Sequence, residues 1–140
     1  MFLQVGRYET TAERDAVWAV YTSVPTWSQW STDIERAHLE GGPFEAGSWG
    51  TCKFSGVPEA RFDVISVNAP VEYVLRTRLF YGLVKVTFDH KLTAITAGTQ
   101  IMESADFSGP LAPLLGFFLR RRIRRQWPGA MRALTQLAGA

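Results

Sequence analysis

Alternating apolar and polar side chains run through most of the chain, and this pattern predicts β-strands that bury one face. In residues 83–93 every second side chain is apolar except His90. The predicted strands are 3–10, 34–40, 48–54, 60–68, 72–79, 83–93 and 99–107. Short turns rich in Gly, Pro and Asn separate most of these strands, which favours hairpins and an antiparallel sheet.

Two short helices are predicted after the first strand. The first is capped by Thr10 or Thr11 and runs to about Tyr21, because apolar residues recur there at helical spacing. Pro25 ends it. The segment Trp27–Trp30 then forms a second helical turn that places two tryptophans on one side.

A long helix is predicted from Pro110 to about Ala138, with Ser108 as its N-cap. Pro128 inside it predicts a bend, because proline removes a backbone hydrogen bond. One apolar stripe follows the helix: Leu111, Leu115, Leu119, Ile123, Trp127, Leu134 and Leu137. A strand meander leading into such a helix predicts an α+β fold, a curved antiparallel sheet of about seven strands wrapped around the helix. A cavity is expected between them, and we expect the first half of the helix, the Trp27–Trp30 turn and the loop at residues 81–82 to frame its entrance.

His90 and Glu103 are the polar members of two otherwise apolar strand faces. If the hairpin between their strands is centred between Thr96 and Ala97, the two residues lie directly opposite each other. A histidine beside a carboxylate in a cavity could move protons near neutral pH. The favoured interpretation is a structural hydrogen-bonded pair, and acid–base catalysis is the alternative.

Three aromatic side chains are further candidates for the cavity wall. Tyr73 shares a strand face with Leu75 and is expected to point inward, either as a core tyrosine or as a ligand contact. Trp27 and Trp30 either close one mouth of the cavity or anchor the core.

The chain carries one dense basic run, residues 120–125, with five arginines. It is interpreted as a solvated helix face, and contact with an anionic membrane surface is the alternative. The run covers more than half of the helix circumference, so one arginine, most readily Arg122, is expected to turn inward and hold an anionic ligand group.

The formal net charge is only +2, and no nucleic-acid-binding motif is present, so no nucleic-acid partner is expected. The single cysteine, Cys52, excludes an internal disulfide and fits a reducing, cytoplasmic location. The sequence contains no histidines or cysteines at metal-ligand spacing, no phosphate-binding loop and no nucleophile triad, so no metal and no cofactor are expected.

The 140 residues show no linker or repeat and are interpreted as one domain, 1–140. The pattern makes no prediction about oligomeric state.

Several local motifs together resemble the START-like helix-grip superfamily, also called SRPBCC, and within it the polyketide cyclase/dehydrase and lipid-transport group. The motifs are Ala16-Val17-Trp18-Ala19-Val20, Trp27-Ser28-Gln29-Trp30, Gly47-Ser48, Gly98-Thr99 and the segment Ser108 to Gly116. They cover nearly the whole chain. The resemblance implies a helix-grip fold, and its members include lipid and hormone binders and aromatic cyclases.

Two functions follow as hypotheses. The first is a carrier that holds a hydrophobic small molecule, lipid-like or polyketide-like, between the sheet and the last helix. The second is an aromatic or polyketide cyclase or dehydratase with His90 and Glu103 as acid–base groups and Tyr73 binding a carbonyl or enolate oxygen. The residues expected to contact the ligand are Trp27, Trp30, Tyr73, Phe88, His90, Glu103, Phe107, Leu115, Phe118 and Arg122.

Overall fold

The computed structural model describes all residues, 1–140. Seven strands and three helices follow one another along the chain. They are β1 (Phe2–Thr10), α1 (Arg14–Tyr21), α2 (Trp27–Trp30), β2 (Ile34–Glu40), β3 (Trp49–Phe54), β4 (Ala60–Asn68), β5 (Glu72–Leu79), β6 (Val84–Ile95), β7 (Gly98–Ser108) and α3 (Ala112–Leu137). A short 3-10 turn, Val24–Thr26, connects α1 to α2.

The strands form one curved antiparallel sheet in the order β1-β7-β6-β5-β4-β3-β2. Consecutive strands pair as hairpins, and β1 closes the sheet against β7. α3 packs across this sheet, which confirms the predicted helix-grip architecture. The β6–β7 register pairs His90 with Glu103, as the hairpin prediction required.

The start of α3 differs from the prediction by two residues. Ser108 is the last residue of β7, and the helix begins at Ala112 with Pro113 in its first turn. Gly109 has φ +104°, and a Cβ there would lie 2.5 Å from the carbonyl oxygen of Leu83. The chain therefore needs an extra turn after β7 before a helix can form.

The start of α1 also differs. The helix begins at Arg14 after Glu13, whose side chain makes no capping hydrogen bond. The Thr10 hydroxyl instead accepts the N–H of Ala12 at 3.2 Å, in the turn that ends β1. Thr10 therefore stabilises the turn rather than the helix.

The buried face of α3 agrees with the predicted stripe only in part. Leu119, Trp127 and Leu134 are buried as expected, whereas Leu137 is exposed. The rest of the buried face is formed by Ala112, Gly116, Met131 and Thr135. The helix continues through Pro128 as one element. None of the helices is both long enough and apolar enough to cross a lipid bilayer.

Candidate functional site

The main cavity of the molecule lies between the sheet and the middle of α3. It has a volume of about 140 Å³, and 12 of its 18 lining residues are hydrophobic. The helix contributes Ile123, Trp127 and Met131, while α2 contributes Trp27 and Trp30. Of the three segments expected to frame the entrance, α2 supplies both of its tryptophans to the cavity wall, and α3 supplies residues from its middle, 123–131. The loop at residues 81–82 does not line the cavity.

Six of the predicted ligand contacts are brought together on the cavity wall. They are Trp27, Trp30, Tyr73, Phe88, His90 and Glu103. The strands β5, β6 and β7 are neighbours, so their inward residues form adjacent rows across the sheet.

Three predicted contacts lie elsewhere. Phe107 is buried four residues beyond Glu103 on β7, and it does not line the cavity. Leu115 packs against the core without lining the cavity, and Phe118 is 60% exposed on the outer face of the helix. The spacing along α3 identified apolar residues but not which of them face the sheet, since that depends on how the helix docks.

Arg122, which is predicted to hold an anionic ligand group, has partners within the protein. Its guanidinium points inward and pairs with the Asp33 carboxylate, and Nη2 also donates to the carbonyl of Ser55 at 2.6 Å. Arg122 lines a smaller cavity of about 40 Å³ that shares Phe54, Phe88 and other lining residues with the main one. Asp33 thus neutralises the charge of Arg122, and this ion pair joins α3 to the segment before β2.

His90 carries a defined tautomer because of its backbone contact. Nδ1 lies 3.2 Å from the carbonyl oxygen of Tyr73, which can only accept, so Nδ1 carries the hydrogen. Burial lowers the pKa of His90 to about 3, although the hydrogen bond to Tyr73 opposes this effect. The imidazole is therefore neutral at pH 7, and Nε2 has a free lone pair.

Glu103 faces that lone pair, and its carboxyl group is protonated below about pH 7. Its Oε1 lies 3.3 Å from Nε2 of His90, and both residues are 7% exposed. Two unprotonated acceptors at this distance repel each other, so one proton shared between them stabilises the pair. Burial raises the pKa of Glu103 to about 7, with the Tyr21 hydroxyl and the Trp127 indole acting in the opposite direction. The Trp127 indole N–H nevertheless makes no hydrogen bond of ordinary geometry.

Tyr21 completes the group from the end of α1. Its hydroxyl donates to Oε1 of Glu103 at 2.8 Å, and burial raises its pKa well above the usual value. The hydroxyl of Tyr73 donates to the carbonyl of Tyr21 at 3.3 Å, and the indole N–H of Trp27 donates to the same oxygen at 3.0 Å. Both tyrosines stay protonated and act as donors, which holds the carboxyl group of Glu103 in one orientation.

Aromatic contacts hold the imidazole in place. The ring of Tyr73 stacks on His90 with centroids 4.1 Å apart and planes 11° apart. The ring of Tyr21 meets His90 edge-on at 5.2 Å and Tyr73 edge-on at 5.3 Å. The site is therefore a rigid proton-sharing pair in an aromatic wall.

Tyr21 and Trp127 are the members of this site that sequence reasoning missed. The sequence placed them on helices without assigning them to the site. Alternation within β6 and β7 does not show which side chains of α1 and α3 pack against those strands. One signal was available for Tyr21: a tyrosine on the buried face of a helix needs a hydrogen-bond partner for its hydroxyl. Glu103 was a carboxylate already predicted to lie in the core, and it was therefore a candidate partner for this hydroxyl.

Other chemistry at the cavity is limited. Cys52 is buried in the wall, and burial raises the pKa of its thiol to about 12, so the nucleophilic thiolate is not formed near neutral pH. No group of three or more His, Cys, Asp or Glu side chains is arranged to hold a metal ion. His38 is exposed, lies beside Glu40 and does not line the cavity.

The comparison with protein families gives one match over nearly the whole chain. The model described as polyketide cyclase / dehydrase and lipid transport matches residues 7–139. No curated protein sequence shows a significant match to the chain.

Solved structures share the architecture at low sequence identity. MLL2253 from Mesorhizobium loti is 13% identical with a TM-score of 0.77, over 98% of this chain and 96% of that one. Ara h 8.0201 is 14% identical with a TM-score of 0.76, over 99% and 97% of the two chains. The di-domain ARO/CYC protein StfQ, from the steffimycin biosynthetic pathway, is 15% identical with a TM-score of 0.74, over 98% of this chain and 50% of its own. At these identities the likeness concerns the fold.

Proposed function

The chain belongs to the polyketide cyclase/dehydrase and lipid transport family, and on that basis we propose that it binds a hydrophobic small molecule between its sheet and α3. The observation that carries this proposal is the cavity, with its predominantly hydrophobic wall of aromatic and aliphatic side chains. A ligand binds such a cavity because its apolar surface is removed from water, while a few polar groups on the wall orient it. His90 and Glu103 are those polar groups here.

The size of the cavity narrows the ligand class. A volume of about 140 Å³ is close to that of an engineered protein cavity of roughly 150 Å³ that binds benzene. The cavity as it stands therefore suits one aromatic ring or a short branched chain. A ligand of several fused rings would require the middle of α3 to move away from the sheet.

We expect fluorobenzene to bind saturably in this cavity, measured by 19F NMR titration. Ala130→Phe projects a ring into the space beside Trp127 and should weaken that binding at least tenfold. Gln136→Phe adds the same ring at an exposed position of α3 and should leave the affinity unchanged. Native mass spectrometry of gently purified protein would identify any molecule that copurifies. Equal affinity in the wild type and Ala130→Phe would contradict the proposal.

A second candidate function, a cyclase or dehydratase, is favoured by the proton shared between His90 and Glu103 on the cavity wall. In a dehydration, a base takes the proton from the carbon next to a carbonyl, and an acid protonates the hydroxyl group that leaves as water. A carboxyl group with a pKa of about 7 is close to the optimum for either role. Tyr73 is less suited to bind a carbonyl oxygen, because its hydroxyl is already donated to Tyr21.

This second function is tested with 4-hydroxy-4-phenylbutan-2-one, a one-ring β-hydroxyketone whose loss of water gives a conjugated product with strong ultraviolet absorption. An enzyme should accelerate this loss of water, and His90→Ala should lower the rate by a factor of about 100 or more. His38→Ala removes the other histidine, which is exposed, and should leave the rate unchanged. If His90→Ala retains the wild-type rate, the enzymatic role is excluded while the binding role stands.

A further inference from the structure

The first half of α3 presents large apolar side chains to solvent. Leu114 and Phe117 are each 74% exposed, and Phe118 is 60% exposed. Their spacing of three and four residues places them on one face of the helix. Single exposed apolar residues are common on proteins, but three adjacent ones on one helix face mark an interaction surface.

The neighbouring loop extends this apolar area. The backbone N–H of Leu111 donates to the carbonyl of Leu83 at 3.1 Å, which holds the β5–β6 turn against the start of α3. Tyr81 at the tip of that turn is 86% exposed. It and Phe80 adopt φ values of 59° and 52°, a left-handed conformation that is uncommon for bulky side chains. The turn thus holds an aromatic ring outward at the cost of backbone strain.

Basic side chains continue the same face of α3. Arg121 and Arg125 follow Phe118 at intervals of three and four residues, and both are exposed. Arg120 and Arg124 flank them. None of the four arginines forms an ion pair, whereas Arg122 on the inner side is paired with Asp33. A band of unpaired positive charge therefore lies directly beside the apolar residues. We call this area, Tyr81, Leu114, Phe117, Phe118 and the four arginines, the outer α3 surface.

We propose that the outer α3 surface docks on an anionic lipid bilayer. Apolar side chains that enter the acyl boundary, beside arginines that remain at the level of the phosphate groups, are the pattern of an interfacial helix. Tyrosine also favours this boundary, since its ring is apolar and its hydroxyl is wet. Unpaired arginines are complementary to the negative surface potential of such a membrane. The proposal does not depend on what the cavity binds.

The test is flotation of the purified protein with vesicles of phosphatidylcholine alone or with about 30% phosphatidylserine, at about 0.1 M salt. The wild type should float only with the anionic vesicles and should be released at about 0.5 M salt. Arg121→Gln/Arg125→Gln should weaken binding about 30-fold. Phe117→Ser/Phe118→Ser should weaken it tenfold or more.

Matched controls separate this surface from total charge and total hydrophobicity. Arg7→Gln/Arg76→Gln removes the same number of charges at exposed sheet positions that form no ion pair and lie outside the surface, and this variant should bind like the wild type. Ile65→Ser/Val71→Ser removes two other exposed apolar side chains and should do the same.

Three results would overturn the proposal. One is equal flotation with both kinds of vesicle. Another is a wild-type dimer in sedimentation that Phe117→Ser/Phe118→Ser converts to a monomer, which would make the surface an interface between two copies. The third is absence of vesicle binding together with tight binding of a DNA duplex that is lost in Arg121→Gln/Arg125→Gln.

Discussion

As the pH falls from about 7.5 to about 5, the Glu103→Gln variant is expected to lose about 2 kcal/mol of unfolding free energy relative to the wild type. The reason lies in His90, whose pKa is lowered from 6.5 to about 3 in the folded protein. Below pH 6.5 the unfolded chain therefore binds a proton that the folded chain does not, and stability falls as the pH falls.

In the wild type Glu103 compensates for this loss. Its pKa is raised from 4.5 to about 7, so between these values the folded chain binds a proton that the unfolded chain does not. The stability contributed by Glu103 is present at low pH and is lost as the pH rises toward 7. The effects of His90 and Glu103 run in opposite directions over nearly the same range. Together they should leave the unfolding free energy almost independent of pH between about pH 4.5 and about pH 6.5.

Glu103→Gln keeps an acceptor for the Tyr21 hydroxyl but removes the titrating carboxyl group. The pH dependence of stability that His90 causes is then no longer compensated. His90→Gln should show the opposite slope, with stability rising relative to the wild type as the pH falls below 7. Urea unfolding at several pH values measures both slopes. Nitrogen-15 chemical shifts of His90 should report a neutral imidazole protonated on Nδ1. A Glu103→Gln variant whose stability follows the wild type down to pH 5 would contradict the shared proton.

Gly6→Ala is expected to destabilise the protein by about 1–3 kcal/mol and to distort the cavity. Gly6 lies at a bulge of β1 and pairs with Glu103 of β7. A Cβ at this position would lie within 2.5 Å of the ring of Trp127. Because Trp127 is buried between β1 and the cavity, the added methyl group must push the indole toward Glu103 and the ligand space.

Gly129→Ala is the matched control for Gly6→Ala. Gly129 lies in α3 with nothing within 4 Å of a Cβ, so alanine there should stabilise the helix by up to about 1 kcal/mol. Urea unfolding gives both free energies, and tryptophan fluorescence with fluorobenzene titration reports the cavity. If both variants unfold at the wild-type urea concentration and bind fluorobenzene equally, the close packing of Trp127 on Gly6 is not a determinant of the site.

The strands were predictable almost to the residue because their signals are local. Alternation and turn residues placed β2, β4 and β5 at the observed bounds, and the hairpin centre gave the correct pairing of His90 with Glu103. The predicted helix starts were less accurate. Ser108 and Thr10 are residue types that cap helices, but in the structure Ser108 ends β7 and Thr10 accepts a hydrogen bond in the turn after β1.

The cavity wall was only half predictable. Side chains on a sheet point in or out by parity, so Tyr73, Phe88, His90 and Glu103 were found from the strands alone. On α3 the inward direction depends on the angle and position at which the helix crosses the sheet. Phe118 and Leu115 were therefore assigned to the cavity in place of Trp127 and Met131.

By itself the sequence determined the strand order along the chain, the antiparallel pairing, the final helix and the inward placement of one histidine and one carboxylate. These follow from backbone periodicity and turn chemistry, which act over a few residues. The tertiary structure alone decided that Tyr21 donates to Glu103, that Asp33 neutralises Arg122, and that Phe117 and Phe118 face solvent. Each of these outcomes depends on contact between elements far apart in the chain. Burial and charge pairing are properties of the packed surfaces, and no local pattern contains them.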